Sequence, residues 1–111
     1  MKAQLDAMPH LPDGFVCAND YLAICVMRAL QKRGVSIPKD VMITGFDGSP
    51  ESAVIAPALT TAEIPSAAIG RMSADLLLSR IRTPSLPYRC SLIRTTPIWR
   101  DSVRQPVESG K

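Results

Sequence analysis

Histidine occurs once in this sequence, at position 10, and cysteine three times, at positions 17, 25 and 90. No CxxC spacing links the thiols and no imidazole lies near them, so the clustered ligands of a zinc or redox centre are missing. No metal and no cofactor is expected. Cys17 and Cys25 lie inside apolar runs and read as small buried hydrophobes of a reducing compartment. Aromatic residues make up only 5% of the chain, and "QKR" at 31–33 is the one basic cluster. Such a cluster reads as a solvated helix end near the negative pole. A nucleic-acid face would need aromatic interleaving or a recognisable reading motif. No apolar run approaches the roughly 20 residues that cross a bilayer, and "MKAQLDAMPH" lacks the apolar centre of an export signal. The expected setting is cytoplasmic, with no membrane partner.

What the 111 residues do hold is an ordinary apolar share, 46%, beside 21% charged residues and a net charge of +3. This suits one soluble domain at most, with a core of modest size. Residues 1–11 read as the tail of a helix and then a linker, broken by Pro9 and Pro12. Phe15 to Ala18 is a short apolar strand, Tyr21 to Arg33 a helix, and Val41 to Phe46 a second buried strand. Asn19 or Asp20 caps that helix and Gly34 stops it. Strand, helix, strand in about 30 residues is a βαβ unit with parallel strands. A brief helix over Glu51 to Ile55, extended chain at 59–65 and a long helix from Ser66 to about Ile81 follow. A last strand is expected at Cys90 to Thr95, and a fraying polar tail beyond Trp99.

At about 100° per residue, Leu22, Cys25, Val26, Ala29 and Leu30 share one face of the first long helix. That face is expected on the sheet. Ile24 and Met27 are expected on the opposite side, beside Arg28 and Gln31.

Both strands of the βαβ unit end on polar residues, in "FVCAND" and "ITGFDGS". Ligands of parallel α/β sheets bind beyond the carboxyl ends of the strands, which makes Asn19 and Asp47 candidates for contact with a small polar molecule. Gly45 and Gly48 would keep the backbone thin for its approach. The competing reading is a helix cap at Asn19/Asp20 and a turn shaped by Asp47 and Ser49. Enzyme readings fail on the same residues. "FDGS" resembles the start of the haloacid-dehalogenase phosphatase motif, but Gly45 stands where the nucleophilic aspartate would be. There is no GxSxG elbow and no nucleotide-phosphate loop.

"PDGFVCANDYLAICVMRALQKRGVSIPKDVMITGFDGSP", residues 12–50, resembles the C-terminal part of LacI/GalR-type bacterial transcription regulators. Those carry P-D-x-[FI]-x-C-A-N-D, a helix ending R-G, and V-P-x-D-V-x-[VI]-x-G-F-D. "PALTTAEIP" (57–65) and "IGRMSADLLLSRI" (69–81) continue the series, so that the resemblance spans roughly residues 3–96. It implies an α/β fold: parallel-sheet lobes of a periplasmic-binding-protein-like (type I) fold, incomplete in this chain. By that resemblance residues 12–62 belong to the C-terminal lobe, 65–88 cross to the N-terminal lobe and 89–96 return as a strand. Residues 1–96 together would be the C-terminal part of the core, and 97–111 a tail.

The resemblance implies a non-enzymatic sensor of a small-molecule effector, a sugar or related metabolite. Asn19 and Asp47 match its effector contacts, and Tyr21 falls where a side chain can touch ligand. Two positions depart from the pattern: Ile64 replaces a frequent glutamine, and Gly48 a frequent Asp or Asn. Dimerisation through the core is also implied, with Ile24 and Ile55 at apolar interface positions, and the helical face count adds Met27 to that interface. DNA binding would need an N-terminal helix-turn-helix, expected to be missing from this chain along with most of the first lobe. Ile69, Met72, Leu76, Leu77 and Ile81 would then lack cover, favouring a homodimer or higher self-association. A fragment of a sugar-binding protein for uptake shares the fold and is the alternative reading.

Overall fold

The computed structural model describes residues 2–105. In chain order they form α1 (Lys2–Asp6), β1 (Gly14–Val16), α2 (Asp20–Gln31) and β2 (Met42–Thr44), then α3 (Pro50–Val54), β3 (Thr61–Glu63), α4 (Ser66–Arg82) and β4 (Thr96–Ile98). The chain divides into two compact units: one holds residues up to Glu63 and from Pro97 onward, the other Ile64–Thr96.

In the first unit β1 and β2 run parallel, pairing Gly14 with Met42, Phe15 with Ile43 and Val16 with Thr44. Parallel bridges Thr44↔Thr60 and Asp47↔Glu63 carry the pairing on toward β3, which pairs in turn with β4. Leu5, Val41, Ile43 and Leu59 are buried together with Ala23, Val26, Met27 and Leu30 of α2. Burying such side chains contributes about 25 cal/mol per Å² of apolar surface. This is the core that seats α2 on the sheet.

The phase of α2 differs from the one expected. Met27, placed by the sequence on the outward side, has no exposed surface, whereas Leu22 is exposed and Cys25 and Ala29 are only half-buried. The cause lies in the first turn. Asp20 points inward, its Oδ2 accepting from the Ser49 N–H (2.7 Å) and its Oδ1 from the Thr61 hydroxyl (2.6 Å). With residue 20 fixed inside, positions 23, 27 and 30 follow it onto the same face. Met27 is therefore a core residue and not an interface residue.

The segment beyond Trp99 is also corrected. Ser102 is fully buried. Its hydroxyl donates to the Ile43 carbonyl (2.6 Å) and accepts from the Thr60 N–H (2.8 Å). The Arg100 guanidinium donates to Ser52 Oγ (2.7 Å) and the Leu59 carbonyl (2.8 Å). Residues 100–102 are therefore stitched to β2 and to the approach to β3; residues 106–111 of the expected tail lie outside the described residues.

In the second unit α4 has no buried residue, and Met72, Leu77, Leu78 and Ile81 are exposed. Arg80 stacks over the Tyr88 ring at 4.4 Å and donates to the Leu86 carbonyl. The strand expected at Cys90–Thr95 does not form; β4 begins at Thr96. Alternation makes a strand only where a neighbour supplies a ladder, and among the described residues no strand pairs with 90–95. Leu92 is accordingly almost fully exposed.

Candidate functional site

Both candidate polar residues stand beyond the carboxyl ends of the parallel strands β1 and β2. Cys17 N–H donates to the Thr44 carbonyl (2.9 Å) and Asp20 N–H to the Phe46 carbonyl (2.8 Å). The residue after Asn19 is thus bonded to the residue before Asp47, which brings the two to one edge of the sheet.

Asn19 has extended backbone, and its Oδ1 accepts from the Leu22 N–H at 2.8 Å. It caps α2 as expected. The cap consumes only the amide oxygen, so the cap and ligand readings are compatible: the amide nitrogen remains a donor. Asp47 is exposed and carries a φ of 115°, a left-handed backbone that side chains other than glycine adopt only at a cost. Its N–H donates to the Ala62 carbonyl (3.0 Å). The next amide, Gly48 N–H, donates to Thr61 Oγ1 (3.3 Å), and the next, Ser49 N–H, to Asp20 Oδ2 (2.7 Å). Three successive amides are tied down while the Asp47 carboxylate stays in solvent.

The two glycines have another role than the expected one. A Cβ on Gly45 would lie 2.1 Å from Asp20 Oδ1, and one on Gly48 2.8 Å from the Glu63 Cα. The room they leave is filled by a buried carboxylate and by β3, not left open for a ligand. Gly48 also has φ 73°, where glycine is at no disadvantage.

Tyr21 is three-quarters exposed, and the structure groups it differently from Asn19 and Asp47. It lines a groove of about 400 Å³ between α2 and α3, with Ile24, Cys25, Arg28, Val54 and Ile55 among the other lining residues. Ile24 and Ile55 are each half-buried and packed against the core from the groove side. Among the described residues no group of His, Cys, Asp and Glu could hold a metal ion, and no helix is long and apolar enough to cross a membrane. Sequence reasoning missed Asp20 and Thr61 as partners. The only signal was an acid directly after the Asn19 cap, and nothing in it said that the carboxylate turns inward.

The periplasmic binding protein-like domain family matches residues 1–103. The lactose operon repressor of Rhizobium radiobacter is 38% identical over 103 residues, covering 93% of this chain and 90% of that sequence. The HTH-type transcriptional repressor MelR of Bacillus subtilis is 37% identical over 102 residues, 92% of this chain but 29% of that protein. A crystal structure of a LacI family transcriptional regulator from Enterococcus faecium with bound ribose superimposes with a TM-score of 0.78 at 33% identity. The match covers 92% of this chain and 37% of that one. These relatives are transcriptional regulators, not enzymes, and the chain spans roughly a third of the Bacillus and Enterococcus proteins.

Proposed function

The chain belongs to the periplasmic binding protein-like domain family, among the LacI-type transcriptional regulators, and on that premise we propose that it senses an effector and contributes to dimerisation. Asn19 and Asp47 contact the effector from the strand ends; its chemical class is a sugar or a related metabolite rich in hydroxyl groups. The carrying observation is the Asp20 N–H to Phe46 carbonyl bond, which sets an amide donor and a free carboxylate at one sheet edge. A carboxylate accepts from hydroxyls and an amide nitrogen donates to them, a pairing suited to a polyol. Ribose in the Enterococcus relative supports that class. Ile24 and Ile55, with the rim residue Tyr21, form a subunit contact. The HTH-type repressor MelR among the relatives supports operator DNA as a partner of the whole regulator, which acts in the cytoplasm.

The test is calorimetric titration of the whole regulator with ribose and lactose, wild type against Asp47→Asn. Asparagine tolerates positive φ better than alanine and so removes the charge with less disturbance of the turn. A hydrogen bond to a charged group is worth roughly 1.5–3 kcal/mol, so affinity for the sugar that binds should fall at least about tenfold. Unchanged affinity in Asp47→Asn would contradict the assignment.

A further inference from the structure

The most buried carboxylate described in this chain is not the proposed ligand residue but Asp20, with 1% exposure. A buried carboxylate is costly unless its oxygens are satisfied, and both of these are. One takes the Ser49 N–H, the other the Thr61 hydroxyl. Thr61, itself buried, relays the connection, because its oxygen also accepts from the Gly48 N–H. Gly45 supplies the cavity in which the Asp20 carboxylate sits. Asp20 thus reaches two of the three turn amides from Asp47 to Ser49, one directly and one through Thr61.

The geometry points to Asp20 as a positioning residue: its carboxylate, through Ser49 N–H and the Thr61 hydroxyl, holds the Asp47–Gly48–Ser49 turn in its left-handed form. Asp47 at φ 115° is the residue so held. A strained residue persists only where its surroundings over-determine it, and here the Ala62 carbonyl, Thr61 and Asp20 each fix one amide in succession. Asp20 also opens α2, directly after the Asn19 cap. One carboxylate therefore ties both strand ends together, so that Asn19 and Asp47 keep a fixed spacing. The functional meaning of that spacing rests on the reading of Asp47 as a ligand residue; the mechanical coupling does not.

The test is native-state hydrogen exchange by NMR on the 111-residue chain, comparing wild type with Asp20→Asn, Thr61→Val and Thr61→Ser. In Thr61→Val the Gly48 amide, which loses its acceptor, should exchange about three- to tenfold faster, the scale of a neutral hydrogen bond, with a smaller rise at Ser49 as Asp20 loses its second partner. Amides inside α2, from Ala23 to Leu30, should keep wild-type rates. Thr61→Ser retains the hydroxyl and should restore slow exchange. Asp20→Asn keeps one acceptor oxygen but removes its charge, so Ser49 exchange should quicken in the same direction; if that variant does not fold, the Thr61 pair decides. Uniform acceleration across α2 and the turn, unchanged Gly48 and Ser49, or no rescue by serine would each overturn the proposal. No ligand enters this measurement. A positive result together with unaltered sugar affinity in Asp47→Asn would remove the ligand role of Asp47 and leave the positioning by Asp20 standing.

Discussion

Asp47 occupies a backbone region that glycine would fill more cheaply. A sparsely populated φ costs of order 1–3 kcal/mol, partly offset in a glycine variant by about 0.4–1 kcal/mol of extra unfolded-state entropy. Asp47→Gly should therefore raise stability by about 1 kcal/mol, read as a higher denaturant midpoint at unchanged slope. Ligand affinity should fall in the same variant. A destabilised Asp47→Gly would mean that the carboxylate has a structural partner and is not held in reserve for a ligand. Cysteine chemistry gives a second check. Burial pushes the Cys17 thiol above its ordinary pKa, while Cys90 is exposed. A raised pKa favours the neutral thiol in the folded state. Its contribution to stability is complete below the unfolded pKa and is lost as pH rises through the folded one. Thiolate is the reactive form, so iodoacetamide near neutral pH should label Cys90 well before Cys17, as peptide mapping would show. Equal labelling would contradict the burial of Cys17.

For α2 the lesson concerns phase. The period, the Asn19 cap and the end near Gly34 could be read from the sequence, because capping and helix-stop chemistry are local. Which face packs could not, since six of the residues from Leu22 to Leu30 are apolar or cysteine apart from alanine and an apolar stripe can be drawn in more than one direction. A buried aspartate decided it, and no propensity scale places an aspartate inside. The strand ends at Asn19 and Asp47 were legible from apolar runs ending on polar residues, and the family resemblance supplied the shared role proposed for them. The strand at 90–95 and the buried Ser102 were misread for one reason: both depend on which distant backbone lies alongside. These assignments separate two substitutions on neighbouring elements. Met27→Ala removes a fully buried side chain and should cost about 2–5 kcal/mol. Val54→Glu, on α3 at the open rim of the groove with 84% exposure, should leave the denaturant midpoint nearly unchanged. Sedimentation should show it weakening self-association if α2 and α3 form the subunit contact. Wild-type association in Val54→Glu would remove the groove from the interface.

In the whole molecule, the first unit is closed by chain from both ends: Leu5 enters its core, and Arg100 and Ser102 bond across to Ser52, Leu59, Thr60 and Ile43. That closure gives the sheet edge carrying Asn19 and Asp47 a rigid base, which a binding site needs if its polar groups are to meet a ligand without reorganising. The claim that these two residues form one site has a direct measure. It is the double-mutant cycle on Asn19→Ala and Asp47→Asn, read by calorimetry in the whole regulator with the sugar that binds the wild type. Residues sharing one partner couple by roughly 0.5–3 kcal/mol, whereas independent sites add to within about 0.3–0.5 kcal/mol. The account predicts a coupling in the first range, with both single variants weakened. Additive losses, or an affinity that neither substitution changes, would contradict it.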